Sequence, residues 1–153
     1  MTVRVQAEDF DMGAEMAALV AGRHDVGGLV SFLGTVRDLA GEMPVTAMTL
    51  EHYPGMTEKM LARIEAEALA RWPIAASLII HRHGRLLPGD NIVLVAVASA
   101  HRQAAFEACQ FLVDWLKTKA PFWKREETPG GDHWVEAREA DDEAADRWAA
   151  CAP

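Results

Sequence analysis

The chain has 153 residues, of which half are hydrophobic and a quarter charged, and its formal net charge is −8. This length and composition are typical of a globular protein, and we predict a single domain over 1–153. The acidic balance argues against a general nucleic-acid-binding protein. The two cysteines form neither a disulfide framework nor a metal-ligand motif. Since no window is apolar enough to span a membrane and no leader pattern begins the chain, we expect a cytoplasmic protein.

The hydrophobic pattern of the first half predicts short strands that alternate with helices. Apolar residues recur at helical spacing between residues 56 and 71, with charged residues interleaved, which indicates an amphipathic helix. In chain order we predict a helix over 12–21, a buried strand over 28–34, a loop over 39–44, a strand over 45–53 and a helix over 56–71.

The second half continues the alternation. Residues 91–98 (NIVLVAVA) are rich in β-branched side chains, which favours a central strand. We predict a hairpin of strands 76–82 and 91–98 around a turn at 84–90, a helix over 101–118, a loop over 128–132, a short strand over 133–137 and a helix over 141–149. The sum predicts an α+β fold, with helices packed on a mixed or antiparallel sheet.

The predicted helix over 101–118 has recognisable ends. Ser99 can cap its start. Pro121 disfavours helical geometry at the preceding residue, so the helix should end just after Lys117. Cys109 lies on its apolar stripe and is expected to be a small buried hydrophobe.

The cations of the chain are concentrated at the ends of predicted elements. Residues 81–125 hold seven of the fifteen Lys and Arg residues but only three acids. Within this chain, cations occur at four such ends: Arg37, residues 81–85, the pair His101–Arg102, and residues 117–125. Functional sites usually lie at element ends. An acidic protein that gathers its cations in this way is expected to hold an anion, or to use a lysine amine in chemistry.

Two of these places suggest anion binding. Arg37 can bind a carboxylate or phosphate in a bidentate manner, although a solvated loop arginine beside Asp38 is the plainer interpretation. His101 and Arg102 lie at a predicted helix start, where cations oppose the helix dipole and an anionic ligand would offset that cost. The alternative is that both are exposed and pair with acids elsewhere.

Lys117 has two opposed interpretations. Helical periodicity places it on the polar stripe with Gln110 and Asp114, where a solvated surface lysine is expected. A nucleophilic lysine must instead be neutral, and neighbouring cations such as Lys124 and Arg125 favour that form. The pattern leaves both possibilities open.

The aromatic and histidine residues allow further alternatives. Phe122 and Trp123 can belong to the core, or they can form the wall of a pocket for a flat heterocycle. Three histidines (His81, His83 and His101) stand near the predicted sites, but their spacing matches no metal motif and no cysteine joins them. We predict no metal site.

Five segments occur together in an order and at a spacing that resemble one known family. They are FLGTVR (Phe32–Arg37), LEHYPGM (Leu50–Met56), HRHGRL (His81–Leu86), SAHR followed by AFEA (Ser99–Ala108), and LKTKAPFWKRE (Leu116–Glu126). Together they resemble the large, catalytic subunit of molybdopterin synthase over roughly residues 28–138.

The resemblance implies an α/β-hammerhead-type fold and a homodimer of large subunits within a heterotetramer. Each large subunit would bind a small ubiquitin-like sulfur carrier whose C-terminal Gly-Gly tail bears a thiocarboxylate. Two rounds of sulfur transfer would convert cyclic pyranopterin monophosphate, a small pterin phosphate, to the dithiolene of molybdopterin. The resemblance implies no metal and no other cofactor.

The same resemblance assigns roles to five residues. It implies that Lys117 is the main catalytic lysine and that Lys124 is a second one. It implies that Arg37, His101 and Arg102 bind the phosphate and the pterin.

Two other classes of function remain open at this level. A binding module that senses an anion or nucleotide would use the same cations without chemistry and would tolerate Lys117→Arg. A pure interaction protein would dock a ubiquitin-like tail without turnover, and its complex would be insensitive to Arg102→Ala.

Overall fold

Ten strands and four helices are found in the computed structural model, which describes residues 2–40, 43–135 and 139–149. In chain order they are β1 (Thr2–Gln6), α1 (Met12–Val20), β2 (Gly28–Thr35), β3 (Leu39–Ala40), β4 (Met43–Pro44), β5 (Ala47–His52), α2 (Met56–Arg71), β6 (Ala76–Arg82), β7 (Gly84–Leu86), β8 (Asn91–Ser99), α3 (Arg102–Thr118), β9 (Phe122–Thr128), β10 (Gly131–Val135) and α4 (Glu139–Ala149). None of these helices is long and apolar enough to cross a membrane.

Two four-stranded sheets organise the chain. The first has the order β1-β6-β8-β2 and is mixed, because β1 runs parallel to β6 while the other neighbours are antiparallel. The second has the order β10-β9-β5-β7 and is antiparallel throughout. β3 and β4 pair with each other. Helices packed on mixed and antiparallel sheets confirm the predicted α+β class.

The first sheet is buried on both faces. Ile79 and Val95 belong to the main core cluster with residues of α2 and α3, whereas Ile80 and Leu94 pack with residues of α1 on the other side. A strand covered on both faces needs apolar residues at every position, which explains the unbroken run in β8.

Helix α3 crosses the main core and carries the predicted apolar stripe. Phe111 and Leu112 are fully buried, and burial of each such side chain contributes roughly 1.5–3 kcal/mol. Cys109 is also buried, and its burial raises the pKa of the thiol to about 11. The thiol therefore stays protonated and acts as a small hydrophobe, as predicted.

Most predicted elements are confirmed. The helix over 56–71 and the strand over 76–82 have the observed bounds, and the helix predicted over 101–118 ends at Thr118. The predicted hairpin exists as the antiparallel pair of β6 and β8. The predicted cap is wrong: His101 is the N-cap residue and its side chain makes no capping hydrogen bond. The hydroxyl of Ser99 instead donates to the carbonyl of Pro73.

The sequence prediction missed several short strands. β1 and β9 were not predicted, and β3, β4 and β7 lie in segments predicted as loop or turn. β9 is rich in charged residues, and it becomes a strand because β5 and β10 pair with its two edges. The strand predicted over 133–137 is β10, which begins earlier; residues 136 and 137 lie outside the described part.

Candidate active site

A cavity of about 360 Å³ lies where the C-terminal end of α3 meets both sheets. This volume is in the usual range for sites that bind small molecules. Apolar residues of β2, β5, β8 and α3 form much of its wall. Its polar lining consists of Thr35, Arg37, His81, Lys117, Thr118, Lys124 and Glu126.

Arg37 reaches the cavity from the segment that follows β2. The backbone just before it is held in place, since the N–H of Val36 donates to the carbonyl of Asp90 over 3.0 Å. In return, the N–H of Gly89 donates to the carbonyl of Val36 over 2.8 Å. The exposed guanidinium group therefore extends from a fixed backbone at the mouth of the cavity.

Lys117 lies in the last turn of α3, where its charge suits the helix dipole. The side chain is exposed, as the polar stripe predicted, and it also lines the cavity. The helix closes with a hydrogen bond from the N–H of Lys119 to the carbonyl of Trp115, and the chain then turns at Pro121 into β9. Among the described residues, no ion pair involves Lys117 or Arg37.

Lys124 enters the same cavity from β9. It pairs with Leu50 of β5, and the two-residue alternation of a strand places Phe122 and Lys124 on the cavity side. Trp123, next to them in the chain, points away and is 46% exposed. Lys124 itself is half-buried. Two lysines that stand seven positions apart in the chain thus face one cavity.

Glu126 is a cavity residue that the sequence interpretation missed. Its Oε2 is buried and accepts no hydrogen bond from the described residues, while Nε2 of His133 lies 3.8 Å away. Residues 122, 124 and 126 alternate along the chain and therefore share one face of β9. This pattern could predict Glu126 as a cavity residue only if the segment were recognised as a strand. The carboxylate offsets part of the positive charge that Arg37, Lys117 and Lys124 bring to the cavity.

His81 also lines the cavity, and it is not the cation that the sequence suggested. Nδ1 lies 2.8 Å from the carbonyl oxygen of Arg82, which can only accept, so Nδ1 carries the proton. Burial is the main cause that lowers the pKa of His81 to about 3; the nearby charges of Lys117 and Lys124 also lower it, and the hydrogen bond to Arg82 opposes them. The ring is therefore neutral at ordinary pH.

His101 and Arg102 do not reach this cavity in the same chain. They stand at the start of α3, whereas Lys117 stands near its end, so 15 helical residues separate Arg102 from Lys117, roughly 22 Å along the axis. Both are exposed. His101 and Arg102 therefore do not line one cavity with Lys117 of the same chain, because a straight helix keeps its ends apart.

The start of α3 is nevertheless held in a defined place. Gly27 approaches the chain before the helix so closely that a Cβ atom there would lie 2.1 Å from the carbonyl oxygen of Ala100. The N–H of Gly27 also donates to the carbonyl of Ser99 over 2.9 Å. The beginning of β2 thus fixes the position of the exposed pair His101 and Arg102.

The two arginines of residues 81–85 have structural partners. The guanidinium of Arg82 donates to the carbonyls of Ala7 and Asn91, and Arg85 pairs with Glu127 at 3.0 Å. In the part of the chain that the structure describes, no group of three or more His, Cys, Asp or Glu side chains is arranged to hold a metal ion.

The cavity therefore combines donors from three cations with one carboxylate and one neutral imidazole. Ammonium and guanidinium groups bind phosphate and carboxylate, and they stabilise negative charge that develops during a reaction. A lysine amine can in addition act as a nucleophile or exchange protons with a substrate. The geometry favours group transfer between anionic reactants.

Known proteins are similar to this chain over most of its length. Residues 5–119 match the model of the family described as MoaE protein. The molybdopterin synthase catalytic subunit of Mesorhizobium japonicum is 58% identical over 149 residues, covering 96% of this chain and 92% of that protein. The molybdopterin biosynthesis MoaE protein from Burkholderia ambifaria superposes with a TM-score of 0.83 at 56% identity, covering 97% of each chain.

A more distant structure has the same fold. Molybdopterin synthase from Staphylococcus aureus superposes with a TM-score of 0.81 at 30% identity, covering 87% of this chain and 96% of that one. The family match spans more than half of the chain and includes Arg37, His81 and Lys117. The chain therefore belongs to the MoaE family, to which catalytic subunits of molybdopterin synthase belong.

Proposed function

We propose that this chain is the catalytic subunit of molybdopterin synthase. It transfers sulfur from the C-terminal thiocarboxylate of a small ubiquitin-like carrier to cyclic pyranopterin monophosphate. Two transfers, each from one thiocarboxylate, form the dithiolene of molybdopterin and leave the carrier with an ordinary carboxylate.

The observation that carries this proposal is the meeting of Arg37, Lys117 and Lys124 at one cavity within a chain of the MoaE family. Both reactants are anionic, since one bears a phosphate and the other a thiocarboxylate. Three cations at one small cavity can hold both anions and offset the repulsion between them.

Lys117 acts where the two reactants meet. Its exposed position at the mouth of the cavity makes it accessible to a carrier tail that arrives from solvent. There it acts at the carbonyl of the thiocarboxylate or exchanges protons with the pterin while the carbon–sulfur bond forms.

Lys124 and Arg37 have different roles at the substrate. Lys124 is half-buried, so water is less able to screen its charge, and it stabilises negative charge that develops in the transition state. Arg37, with its planar guanidinium, binds the phosphate in a bidentate manner.

His101 and Arg102 bind substrate across a subunit boundary. The proposal includes a homodimer within a heterotetramer, and the length of α3 prevents this pair from reaching the cavity of its own chain. In the dimer the pair instead serves the cavity of the second copy. In this arrangement all five residues act at one site, although Arg102 and Lys117 of the same chain lie at opposite ends of α3.

The decisive experiment is reconstitution. The protein is incubated with thiocarboxylated carrier and cyclic pyranopterin monophosphate, and the dithiolene product is measured. The function is supported if product forms and two thiocarboxylates are consumed for each molecule of dithiolene product. Binding of both reactants without product would overturn it in favour of a binding module, and binding of the carrier alone would indicate an interaction protein.

Cell fractionation tests the cytoplasmic location, which is part of the proposal.

A further inference from the structure

His81 is a buried, immobile side chain in the wall of the cavity to which the proposed chemistry gives no role. Only 8% of the residue is exposed. Its ring stacks on Phe122, with the two centroids 3.6 Å apart and the planes 15° from parallel. The hydrogen bond from Nδ1 to the carbonyl of Arg82 fixes the ring in its own plane. Stacking and hydrogen bond together leave the ring a single orientation.

This orientation leaves one ring nitrogen available. Because Nδ1 carries the proton, Nε2 has a lone pair and is an acceptor. No described residue forms a hydrogen bond with Nε2. Burial, with the adjacent charges of Lys117 and Lys124, opposes protonation of the ring, so the lone pair remains available at any pH at which the protein would work.

The other groups of the cavity explain what this acceptor contributes. Arg37, Lys117 and Lys124 only donate hydrogen bonds, so they bind a bare phosphate as readily as a phosphate attached to a heterocycle. Glu126 accepts, but its negative charge repels any anion that approaches. A neutral acceptor such as His81 can pair with a donor on an anionic ligand without that repulsion.

We propose that His81 is a specificity-determining contact, whose Nε2 accepts a hydrogen bond from an N–H or O–H group on the heterocycle of the bound substrate. A ligand without such a donor would displace water from Nε2 and leave the acceptor unpaired, which weakens its binding. The inference rests on the proposed function, because it assumes that the cavity holds a pterin phosphate.

A competing role for His81 is to position a lysine. If the ammonium of Lys117 or Lys124 donated to Nε2, the histidine would act through that lysine and would affect every anion that the lysine binds. The two roles differ in their effect on a bare anion, and the experiment is built on that difference.

The test compares two ligands on two variants of the full-length protein. His81→Phe keeps a ring to stack on Phe122 and removes the acceptor, whereas His81→Gln removes the ring and supplies a neutral acceptor oxygen. Affinity for cyclic pyranopterin monophosphate and for inorganic phosphate is measured by calorimetry in the absence of carrier. His24→Phe, at an exposed histidine, is the matched control.

We expect His81→Phe to weaken binding of the pterin phosphate by about tenfold or more and to leave phosphate binding unchanged. His81→Gln should recover part of the loss. Unchanged pterin affinity in His81→Phe, or an equal loss for both ligands, would overturn the inference, and the second result would identify His81 as a positioning residue for a lysine.

A measurement on the unmodified protein guards against a variant that fails to fold. With ¹⁵N-labelled histidine, the resonance of the bare Nε2 of His81 should move when the pterin phosphate is added and stay in place when phosphate is added. If the chemical shift of Nε2 does not change when the pterin phosphate is added, the inference is contradicted. If the unmodified protein binds the pterin phosphate but forms no dithiolene with the carrier, the proposed function fails separately.

Discussion

The two ends of helix α3 both carry cations, but they present them in different ways. At the start, His101 and Arg102 are exposed and lie outside the cavity of their own chain. At the end, Lys117 faces a cavity that Lys124 and Arg37 also line. The helix dipole favours a cation at the end and opposes one at the start. The C-terminal end thus has a complete cavity within one chain, whereas the N-terminal end has cations that line no cavity of their own chain.

This contrast indicates that the two ends do different work in the proposed enzyme. The C-terminal end holds the reacting groups, because sheet and helix residues enclose it. The N-terminal end presents an electropositive surface that becomes part of a site only when another molecule supplies the enclosing wall. In the proposed homodimer that molecule is a second copy of this chain.

Lys117→Ala should have the largest effect of any substitution at either end. We expect sulfur transfer to fall by more than roughly 1,000-fold, because the reacting group at the cavity mouth is lost. Lys119→Ala is the matched control, because this exposed lysine is near Lys117 in the chain but does not line the cavity. Its Nζ lies 5.7 Å from the ring centroid of Trp115. Stability should change by less than about 0.5 kcal/mol in both variants, since both side chains are exposed. Near-normal turnover of Lys117→Ala would end the catalytic assignment.

Lys124→Ala should reduce turnover by roughly 100-fold, the effect of removing one group that stabilises transition-state charge. The rate at saturating substrate is the measurement, with the thiocarboxylated carrier in excess. Lys59→Ala, an exposed lysine on α2, serves as the control. A change in KM with an unaltered rate would assign Lys124 to substrate binding instead.

Arg102→Ala should weaken binding of the pterin phosphate by roughly 10- to 100-fold, since a hydrogen bond from a charged group is lost. Mixed dimers test where the residue acts. A purified dimer of one Lys117→Ala subunit and one Arg102→Ala subunit contains one intact cavity if the pair serves the second copy, so about half of the wild-type activity returns. With the pterin phosphate below saturation, a mixed dimer with no more than half the activity of the Arg102→Ala dimer would place Arg102 in the same site as Lys117 of its own chain. Unchanged pterin binding in the Arg102→Ala dimer itself would place Arg102 in neither site.

Glu107→Gln should have the smallest effect, and it concerns stability at the N-terminal half of α3. Hydrogen bonds from Gln103 and then Trp72 lower the pKa of Glu107 below its ordinary value of 4.5. A lowered pKa stabilises the fold above that ordinary value, and the stabilisation is lost as the pH falls through the folded-state pKa. Near pH 7 the variant should melt at most about 3 °C lower, because the carboxyl is well exposed to solvent.

Melting curves of Glu107→Gln and the unmodified protein between pH 7 and pH 3.5 test the direction in which the stability difference changes with pH. The gap between the two melting temperatures should narrow as the pH falls. A gap that widens on acidification would contradict the direction of the pKa shift.

Local pattern predicted the regular elements well where periodicity was strong. The helical spacing of apolar residues predicted α2, and the β-branched run predicted β8. β9 was missed because its charged residues resemble a loop, and only its pairing with β5 and β10 makes it a strand. Glu126 was missed with it, because its direction follows from the alternation of that strand.

The candidate site was predicted in part. Arg37, Lys117 and Lys124 meet at the cavity, as their positions at element ends suggested. His101 and Arg102 do not, although the predicted helix over 101–118 already implies the separation at 1.5 Å per residue. His81 was counted among the cations because its charge depends on burial, which residues distant in the chain provide.

The amino-acid sequence was sufficient for the α+β class, the bounds of α3, the cluster of lysines and, through five short motifs, the family. These properties depend on local periodicity or on the order of motifs, both of which can be read along one chain. The tertiary structure decided which cations share a cavity, that His81 is neutral, and that the two ends of α3 cannot serve one site. Each of these depends on distances and burial among residues far apart in the chain, which no local pattern specifies.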